Sequence, residues 1–212
     1  MTPTPPPAAP PLPYAPFNAD IHLPPLILRL RDQFKLKVAV ETGSFEFQTT
    51  TWLTERFDVV FTIEVNMMSH LNGRRLFTER VTAGSGRLAP LVPLLGSSEQ
   101  LLPVLAKCLK DDTLFYLDAH NPHQTALRAE LTGIHAAGLR PVIVIHDFQN
   151  PSHPEFGFDR YADGTVLNFD LVKPYLEQIY GADGYQHGFN QEATGARRGI
   201  LWVTPKQRPA TY

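Results

Sequence analysis

Short apolar runs that each stop on an acidic residue recur along this chain. The four runs are Val38–Glu41, Val59–Glu64, Leu114–Asp118 and Val142–Asp147. Continuous apolar runs of this length predict strands buried on both faces, which is typical of a parallel sheet. Ligands of an open α/β sheet bind outside the carboxyl ends of its strands. We therefore expect the acidic ends, together with His146, to lie along one rim where chemistry would occur.

Helical patterns alternate with these strands. The predicted helices are Pro24–Phe34, Gln48–Glu55, Met67–Arg80, Ser98–Leu109, Thr125–Ala137 and Phe169–Tyr180. A weaker strand, Leu91–Leu95, contains Pro93 and follows Pro90, which favours an edge position. The last two runs, Tyr185–Asn190 and Ile200–Thr204, lie too close together for a parallel crossover and should pair antiparallel. The pattern predicts an α/β fold, a doubly wound and mostly parallel sheet with a C-terminal antiparallel hairpin.

Composition divides the chain into two parts. Residues 1–16 hold eight prolines, so residues 1–20 are predicted to be a disordered leader before one α/β domain over residues 21–206. The formal net charge is −2, which gives no reason to expect a nucleic-acid or anionic-membrane partner. Cys108 is the single cysteine; it excludes an internal disulfide, fits a cytoplasmic location, and is expected to be a core or semi-buried filler rather than a nucleophile. No apolar run is long enough to span a bilayer. The sequence does not fix the oligomeric state, and a homo-oligomer is one of the alternatives.

The turn after the first strand has the form of a nucleoside-binding half-site. Gly43 follows Glu41 and Thr42 and leads into a helix, so the backbone can approach a ligand closely. Glu64 lies 21 residues after Gly43 at the end of the second strand. An acid at that spacing suits the hydroxyls of a ribose. The alternative interpretation is a tight turn followed by a solvated acid.

These residues resemble the motifs of class I S-adenosylmethionine-dependent methyltransferases. Glu41-Thr42-Gly43-Ser44 with Thr49 is similar to the first motif, and Phe61–Glu64 to the second, whose acid holds the ribose. Leu95–Ser98 and Leu117–His120 resemble the L-G-D-S and L-D-A-H motifs of that family. The resemblance covers about residues 25–205 and implies a Rossmann-like fold with S-adenosylmethionine as cofactor. The implied cofactor-binding residues are Glu41, Gly43, Ser44, Glu64 and Ser97.

Two positions depart from the family pattern. Phe47 stands where the first motif has its second glycine, and a bulky side chain there would be able to crowd the methionine part of the cofactor. Ser97 stands where the family has an acid beside the adenine. Its hydroxyl can still hydrogen-bond the ring, but less strongly than a charged acceptor.

A second cluster follows strands four and five. Sugar O-methyltransferases of the macrocin and novobiocin type carry acids at these places that bind a divalent metal and deprotonate the acceptor hydroxyl. The resemblance implies Asp118 and Asp147 as metal ligands, with His146 in place of an acid. Carboxylates suit Mg²⁺ or Mn²⁺, and an imidazole shifts the preference towards Mn²⁺, Fe²⁺ or Zn²⁺. Helix capping by the acids, and a hydrogen bond from His146 to a backbone carbonyl, are the alternatives.

The function implied by the resemblance is methyl transfer to a small-molecule acceptor, at a hydroxyl in the first instance. Asp118, His120 and His146 are the candidate catalytic residues, since either imidazole can accept a proton near neutral pH. A metal-dependent hydrolase acting at the same rim, and a non-catalytic binding module, are the rival hypotheses. The loop over residues 150–161 is interpreted as a wall of the acceptor site or as a packed surface loop. Arg197 and Arg198 are interpreted as a charged turn or as a clamp for an anionic acceptor.

Overall fold

The computed structural model describes residues 15–84, 88–120 and 125–206. Its strands are β1 (Val38–Thr42), β2 (Val59–Glu64), β3 (Leu91–Leu95), β4 (Thr113–Leu117), β5 (Val142–Ile145), β6 (Tyr185–Phe189) and β7 (Leu201–Pro205). Its helices are α1 (Leu23–Phe34), α2 (Gln48–Thr54), α3 (Met67–Thr82), α4 (Ser98–Ala106), α5 (Leu127–Ala136) and α6 (Phe169–Tyr180). None of these helices has the length and apolar character that crossing a membrane requires.

The strands of the described residues form a single sheet in the order β3-β2-β1-β4-β5-β7-β6. Strands β1 to β5 pair in parallel, and β7 pairs antiparallel with both β5 and β6. The predicted fold class, the antiparallel C-terminal hairpin and the edge position of β3 are therefore confirmed. The strand order reverses at β1, which lies between β2 and β4, and a switch point of this kind is where an open α/β sheet binds its ligands.

The apolar runs are continuous because helices cover both faces of the sheet. In β4, Phe115 and Leu117 pack into the cluster that contains Leu102 of α4 and Leu131 of α5. Leu114 and Tyr116 of the same strand face the opposite cluster, which contains Ile27 of α1. Alternate residues of one strand therefore serve two cores, and no polar face remains.

The boundary between leader and domain differs from the prediction. Most of the predicted leader falls on residues 1–14, which lie outside the described ranges. Its last part is packed on the domain: Pro16–Ala19 forms a tight turn in which Phe17 and Asn18 have a positive φ, and Phe17 is 1% exposed. The Phe17 ring meets Trp52 and Tyr116 edge-on at 5.0 and 5.5 Å. The packed domain thus begins before residue 21, because an aromatic anchor lies inside the proline-rich composition.

Cys108 is also corrected. Helix α4 ends at Ala106, three residues before the predicted end, and Cys108 lies beyond it and is exposed. The expectation of a core filler was wrong because the leucine-rich spacing does not continue to this residue as a buried helical face.

Candidate active site

A cavity of about 600 Å³ lies at the carboxyl ends of β1 to β4. Three of the predicted cofactor-binding residues, Gly43, Glu64 and Ser97, line this cavity, with Gly96, Phe45 and Ala119 beside them. We call this part of the rim the cofactor half of the site. Ser97 is the N-cap residue of α4, but its side chain makes no capping hydrogen bond. Its hydroxyl therefore does not cap the helix, and the residue lines the cavity.

Gly43 brings the β1 turn against the end of β4. It has a φ of +77°, and a Cβ atom on it would lie 2.2 Å from the backbone oxygen of Asp118. Only glycine tolerates both the conformation and the contact. Glu64 supports the same turn, because its two carboxylate oxygens accept the backbone N–H groups of Phe45 and Asn66, each at 2.7 Å.

Glu41 and Ser44 lie in a smaller cavity of about 160 Å³, which shares Gly43 with the larger one. Glu41 accepts hydrogen bonds from the hydroxyls of Thr50 and Thr62. Burial raises the pKa of Glu41 to about 7, against the opposing effect of these two hydroxyls. Ser44 Oγ is buried and has no hydrogen-bond partner among the described residues. The predicted cofactor residues are thus divided between two adjoining cavities.

Phe47 does not crowd the cofactor half. Its ring is 1% exposed and packs under α3, edge-on to His70 at 5.8 Å. Gly73 of α3 makes room for it, since a Cβ atom there would lie 2.4 Å from the ring. Phe47 has a φ of 62°, so the backbone keeps a conformation typical of glycine while the side chain turns away from the cavities.

The acidic residues after β4 and β5 meet two imidazoles in the rim cluster, which comprises Asp118, His120, His146 and Asp147. Nε2 of His120 lies 3.0 Å from Asp118 Oδ1 and 2.9 Å from Asp147 Oδ2. Nδ1 of His146 lies 3.1 Å and 3.0 Å from the same two oxygens. Oδ2 of Asp118 accepts the Tyr116 hydroxyl at 3.3 Å. The structure thus brings together all the predicted catalytic and metal-ligating residues.

His146 is unusual within this cluster. Its side chain is 1% exposed, yet Nδ1 makes no hydrogen bond of acceptable geometry with either nearby oxygen. Among the described residues, Nδ1 therefore donates no hydrogen bond to a backbone carbonyl; the alternative of such a bond from His146 stays a prediction for Nε2. Asp118, His120 and Asp147 offer ligand atoms that all lie within 4.8 Å of one another, a spacing that suits one metal ion.

Electrostatics couple the members of the rim cluster. Burial alone would lower the pKa of His146, but Asp118 and Asp147 raise it to about 10. Burial alone would raise the pKa of Asp147, but His146 and His120 hold it well below its usual range. Without a metal, the imidazoles therefore act as cations that balance the carboxylates.

Two further residues complete the cluster: Asp159 of the loop over residues 150–161, and Arg198, which the sequence offered as a charged turn or an acceptor clamp. Asp159 Oδ2 lies 2.7 Å from Nδ1 of His120. The Arg198 guanidinium donates to Asp147 Oδ1 and to Asp159 Oδ1. Arg198 thus does bind carboxylates, but they belong to the protein and not to an acceptor. The loop over residues 150–161 is in part a packed loop, because Phe156 and Tyr161 are buried. Its Asp159, in contrast, contacts the rim cluster.

Backbone hydrogen bonds hold these loops at the rim. The amide of Asp159 donates to the carbonyl of Asp147 at 2.9 Å. Gly157 exchanges backbone hydrogen bonds with Arg197 and Gly199 at 2.8 and 2.9 Å, on either side of Arg198. Asp147 has a φ of 56°, a left-handed conformation that aspartate tolerates better than most residues. The loop over residues 150–161 and the β6–β7 connection are therefore tied to the end of β5.

Comparisons with known proteins agree with this architecture. No protein-family model and no curated protein matches the sequence. Among solved structures, an O-methyltransferase from Bacillus cereus in complex with SAH matches with a TM-score of 0.56 at 16% identity, covering 85% of this chain and 79% of that one. Precorrin-8w decarboxylase from Methanobacterium thermoautotrophicum matches at 0.52 and 14% identity, covering 87% and 89%. An rRNA methylase from Streptococcus thermophilus matches at 0.52 and 11% identity, covering 86% and 95%.

These likenesses define the fold as the Rossmann-like fold of class I S-adenosylmethionine-dependent methyltransferases. The three proteins carry different activities in their names. Fold similarity at this level of identity therefore does not select an acceptor, and the function has to be argued from the site.

Proposed function

We propose that the protein transfers a methyl group from S-adenosylmethionine to a hydroxyl of a small-molecule acceptor. The observation that carries this proposal is the position of His120. This residue lines the 600 Å³ cavity together with Gly43 and Glu64, and its ring nitrogens also contact Asp118, Asp147 and Asp159. One side chain therefore connects a nucleoside-sized cavity to the cluster of carboxylates and imidazoles at the rim.

The cavity offers the contacts that the cofactor needs. Each oxygen of Glu64 accepts one backbone N–H, and a carboxylate oxygen has a further acceptor site free for a ribose hydroxyl. Ser97 would hydrogen-bond the adenine, and the Gly43 backbone would approach the cofactor closely. Glu41 and Ser44, in the adjoining cavity, are proposed to bind the methionine part.

In the reaction, the bond from the methyl carbon to sulfur breaks as the bond to the acceptor oxygen forms. The acceptor proton would pass to His120 or His146, oriented by Asp118. Either imidazole can take it only when neutral, a state that a divalent cation beside the carboxylates would favour over the imidazolium. Asp118, His146 and Asp147 would also hold a divalent cation, Mg²⁺ or Mn²⁺, since Nδ1 of His146 lies 3.1 and 3.0 Å from oxygens of the two carboxylates. When bound, such an ion supplies Lewis acidity that makes a hydroxyl easier to deprotonate. The protein's main contribution is to align the acceptor oxygen with the methyl group.

Calorimetry with S-adenosylmethionine and S-adenosylhomocysteine tests the proposal. We expect binding to the wild-type protein and a loss of at least tenfold in affinity for Glu64→Ala, because a ribose acceptor is removed. Glu79→Ala is the matched control, since Glu79 is exposed and pairs with Arg75 on α3. Absence of binding at millimolar ligand would refute the proposal, and so would equal affinity of the Glu64 and Glu79 variants.

The hydrolase alternative, which uses the same acids and histidines, loses one point in its favour. Phe47 favoured it slightly as an obstacle to the cofactor, and that ring packs under α3 instead. The binding-module alternative remains the outcome if cofactor binds but no methyl transfer to any hydroxyl compound is found. A cytoplasmic location and the absence of a nucleic-acid partner stay predictions from charge and cysteine content.

A further inference from the structure

We propose that the protein forms a two-fold symmetric dimer in which β6, the last strand of the sheet, pairs antiparallel with β6 of a second copy of this chain. The axis passes through His187, and the two sheets join into one. A two-fold interface uses the same surface on both copies, so a single strand provides the whole contact. The inference concerns assembly and does not depend on the proposed methyl transfer.

The outer side of β6 presents backbone groups that no strand of the described residues pairs with. The amide of Asn190, just after β6, donates to the carbonyl of Ile200 at 3.3 Å. Alternate residues of an antiparallel strand direct both backbone groups to the same side. The N–H and C=O groups that point away from β7 are therefore those of Tyr185, His187 and Phe189.

The two edges of the sheet differ in how well they resist pairing with another chain. At one edge, β3 has Pro93 at its centre, and a proline nitrogen cannot donate to a further strand. At the other edge, β6 has the sequence Tyr-Gln-His-Gly-Phe. It contains no proline, lysine or acidic residue, which are the usual means of blocking an exposed edge. The β6 edge is therefore the one open to a further strand.

The sequence of β6 is complementary to itself in the antiparallel direction. With the axis at His187, Tyr185 lies opposite Phe189 of the partner subunit. Gln186 lies opposite Gly188 of the partner subunit, and the two copies of His187 face each other. Aromatic pairs directly across antiparallel strands stabilise a sheet, whereas like charges there destabilise it. Each pair of outward-facing residues would exchange two backbone hydrogen bonds.

The outward-facing residues also share an aromatic face that one chain covers only in part. The His187 ring stacks on Phe169 of α6 at 4.2 Å and lies 6.0 Å from the rings of Tyr185 and Phe189. Tyr185 and Phe189 are half-buried against the core cluster, and His187 is exposed. Partial burial lowers the pKa of His187, so two imidazoles can meet uncharged at neutral pH. A second β6 would cover this face.

The size of the contact indicates a reversible dimer. Standard stable interfaces bury about 800 Å² on each partner. Pairing along one strand of five residues covers less surface than that. We therefore expect a dissociation constant in the micromolar range and a folded monomer at high dilution.

Cysteine cross-linking of the full chain tests the register. Hydrogen-bonded antiparallel residues have Cα atoms about 5.5 Å apart, a distance that a disulfide can span. In a Cys108→Ser background, which removes the exposed native thiol, His187→Cys should form a covalent dimer on mild oxidation. Tyr185→Cys is the matched control on the same strand. Its two copies would be separated by four positions along the strands, about 13 Å, and should not cross-link.

Sedimentation equilibrium measures the assembly without cross-linking. The wild-type chain should change with concentration from the mass of one chain to twice that mass. His187→Asp should raise the dissociation constant at least tenfold, because it places two like charges opposite each other. His187→Pro should do the same, because it removes an N–H that points away from β7. Val92→Lys, at an exposed position of β3, should leave the dissociation constant unchanged.

Three results would overturn the inference. They are a wild-type chain that stays monomeric up to millimolar concentration, unchanged dimerisation of the folded His187→Asp variant, and equal cross-linking of the two cysteine variants. Residues 185–189 line neither cavity at the rim, so the His187 variants should bind S-adenosylhomocysteine like the wild type. Cofactor binding by a strictly monomeric chain would therefore refute the dimer alone, and a dimer that binds no cofactor would refute methyl transfer alone.

Discussion

Gly43 lies so close to Asp118 that a Cβ atom on the glycine would be 2.2 Å from the backbone oxygen of the aspartate. The turn after β1 and the end of β4 are therefore in direct backbone contact. Gly43 belongs to the cofactor half of the site, and Asp118 belongs to the rim cluster. Neither half can move at this point without displacing the other.

Gly43→Ala should reduce both stability and cofactor affinity. The left-handed φ costs about 1–2 kcal/mol for a residue with a Cβ atom, and forced repacking adds about 1–3 kcal/mol. Gly138→Ala is a close control, because Gly138 has a φ of +71° but open space around its Cβ position. Gly138→Ala should lower the stability by only about 1–2 kcal/mol, the cost of the left-handed φ. Chemical denaturation and calorimetry with S-adenosylhomocysteine measure both effects, and equal destabilisation of the two variants would contradict the contact.

Phe47→Gly restores the residue expected from the family motif, yet it should not improve cofactor binding. The ring packs between His70 and Gly73, away from both cavities. Removing a buried phenylalanine side chain costs about 3–5 kcal/mol, and relief of the left-handed backbone returns about 1–2 kcal/mol. Denaturation should show a net loss of roughly 1–4 kcal/mol. A tenfold gain in affinity for S-adenosylhomocysteine would show that the ring does obstruct the cofactor.

Glu130 should make the protein less stable as the pH rises. This residue of α5 is 1% exposed, and burial raises the pKa of its carboxyl to about 7, against the opposing effect of the Ser98 and Thr42 hydroxyls. The folded protein therefore holds a proton on Glu130 that the unfolded chain releases near pH 4.5. The stabilising contribution is full below about pH 4.5 and is lost as the pH rises to about 7, by roughly 3 kcal/mol.

The variant Glu130→Gln isolates this effect. An amide does not titrate, so the difference in unfolding free energy between variant and wild type should shift by roughly 3 kcal/mol in favour of the variant from pH 4.5 to 7.5. Denaturant titrations at several pH values provide the measurement. Glu79→Gln, at an exposed position, should leave the pH profile unchanged. If the unfolding free energy of Glu130→Gln depended on pH in the same way as that of the wild type, the raised pKa of Glu130 would be contradicted.

Phe17 should act as the anchor of the segment before α1. It is 1% exposed and contacts Trp52 and Tyr116, and its backbone N–H donates to Thr49 Oγ1 at 2.9 Å. Phe17→Ala should cost about 3–5 kcal/mol, seen as a lower melting temperature. Ile21→Ala, at a position that is 68% exposed, should be nearly neutral. If Phe17→Ala melts with the wild type, the packed domain begins later than the structure indicates.

The fold follows closely from the sequence because its main signal is local. Apolar runs such as Val142–Ile145 are buried on both faces, and this requirement shows directly in their composition. The edge position of β3 follows equally from Pro93, whose nitrogen cannot donate to a neighbouring strand. The burial of Phe17 was not predicted, because one aromatic residue in a proline-rich stretch carries no periodic pattern.

The site could be predicted only where its residues end a strand. Asp118 and Asp147 follow β4 and β5, and the geometry of a parallel sheet places them together. Asp159 and Arg198 come from irregular loops and pair across 39 residues of chain, so no spacing rule connects them. The orientation of the Phe47 ring likewise depends on its packing against Gly73 of α3. This is a tertiary contact that the first motif does not reveal.

Arg198 lies just before β7, and β7 is inserted between β5 and β6. Proteins are synthesised from the amino terminus, and the early part of a domain can begin to fold while the rest is still being made. The strands that carry Asp118 and Asp147 are thus complete before Arg198, the partner of Asp147 and Asp159, has emerged from the ribosome. A chain halted before residue 198 would hold three neighbouring carboxylates without their arginine, so the charge balance of this rim depends on a residue that is made after all of its carboxylates.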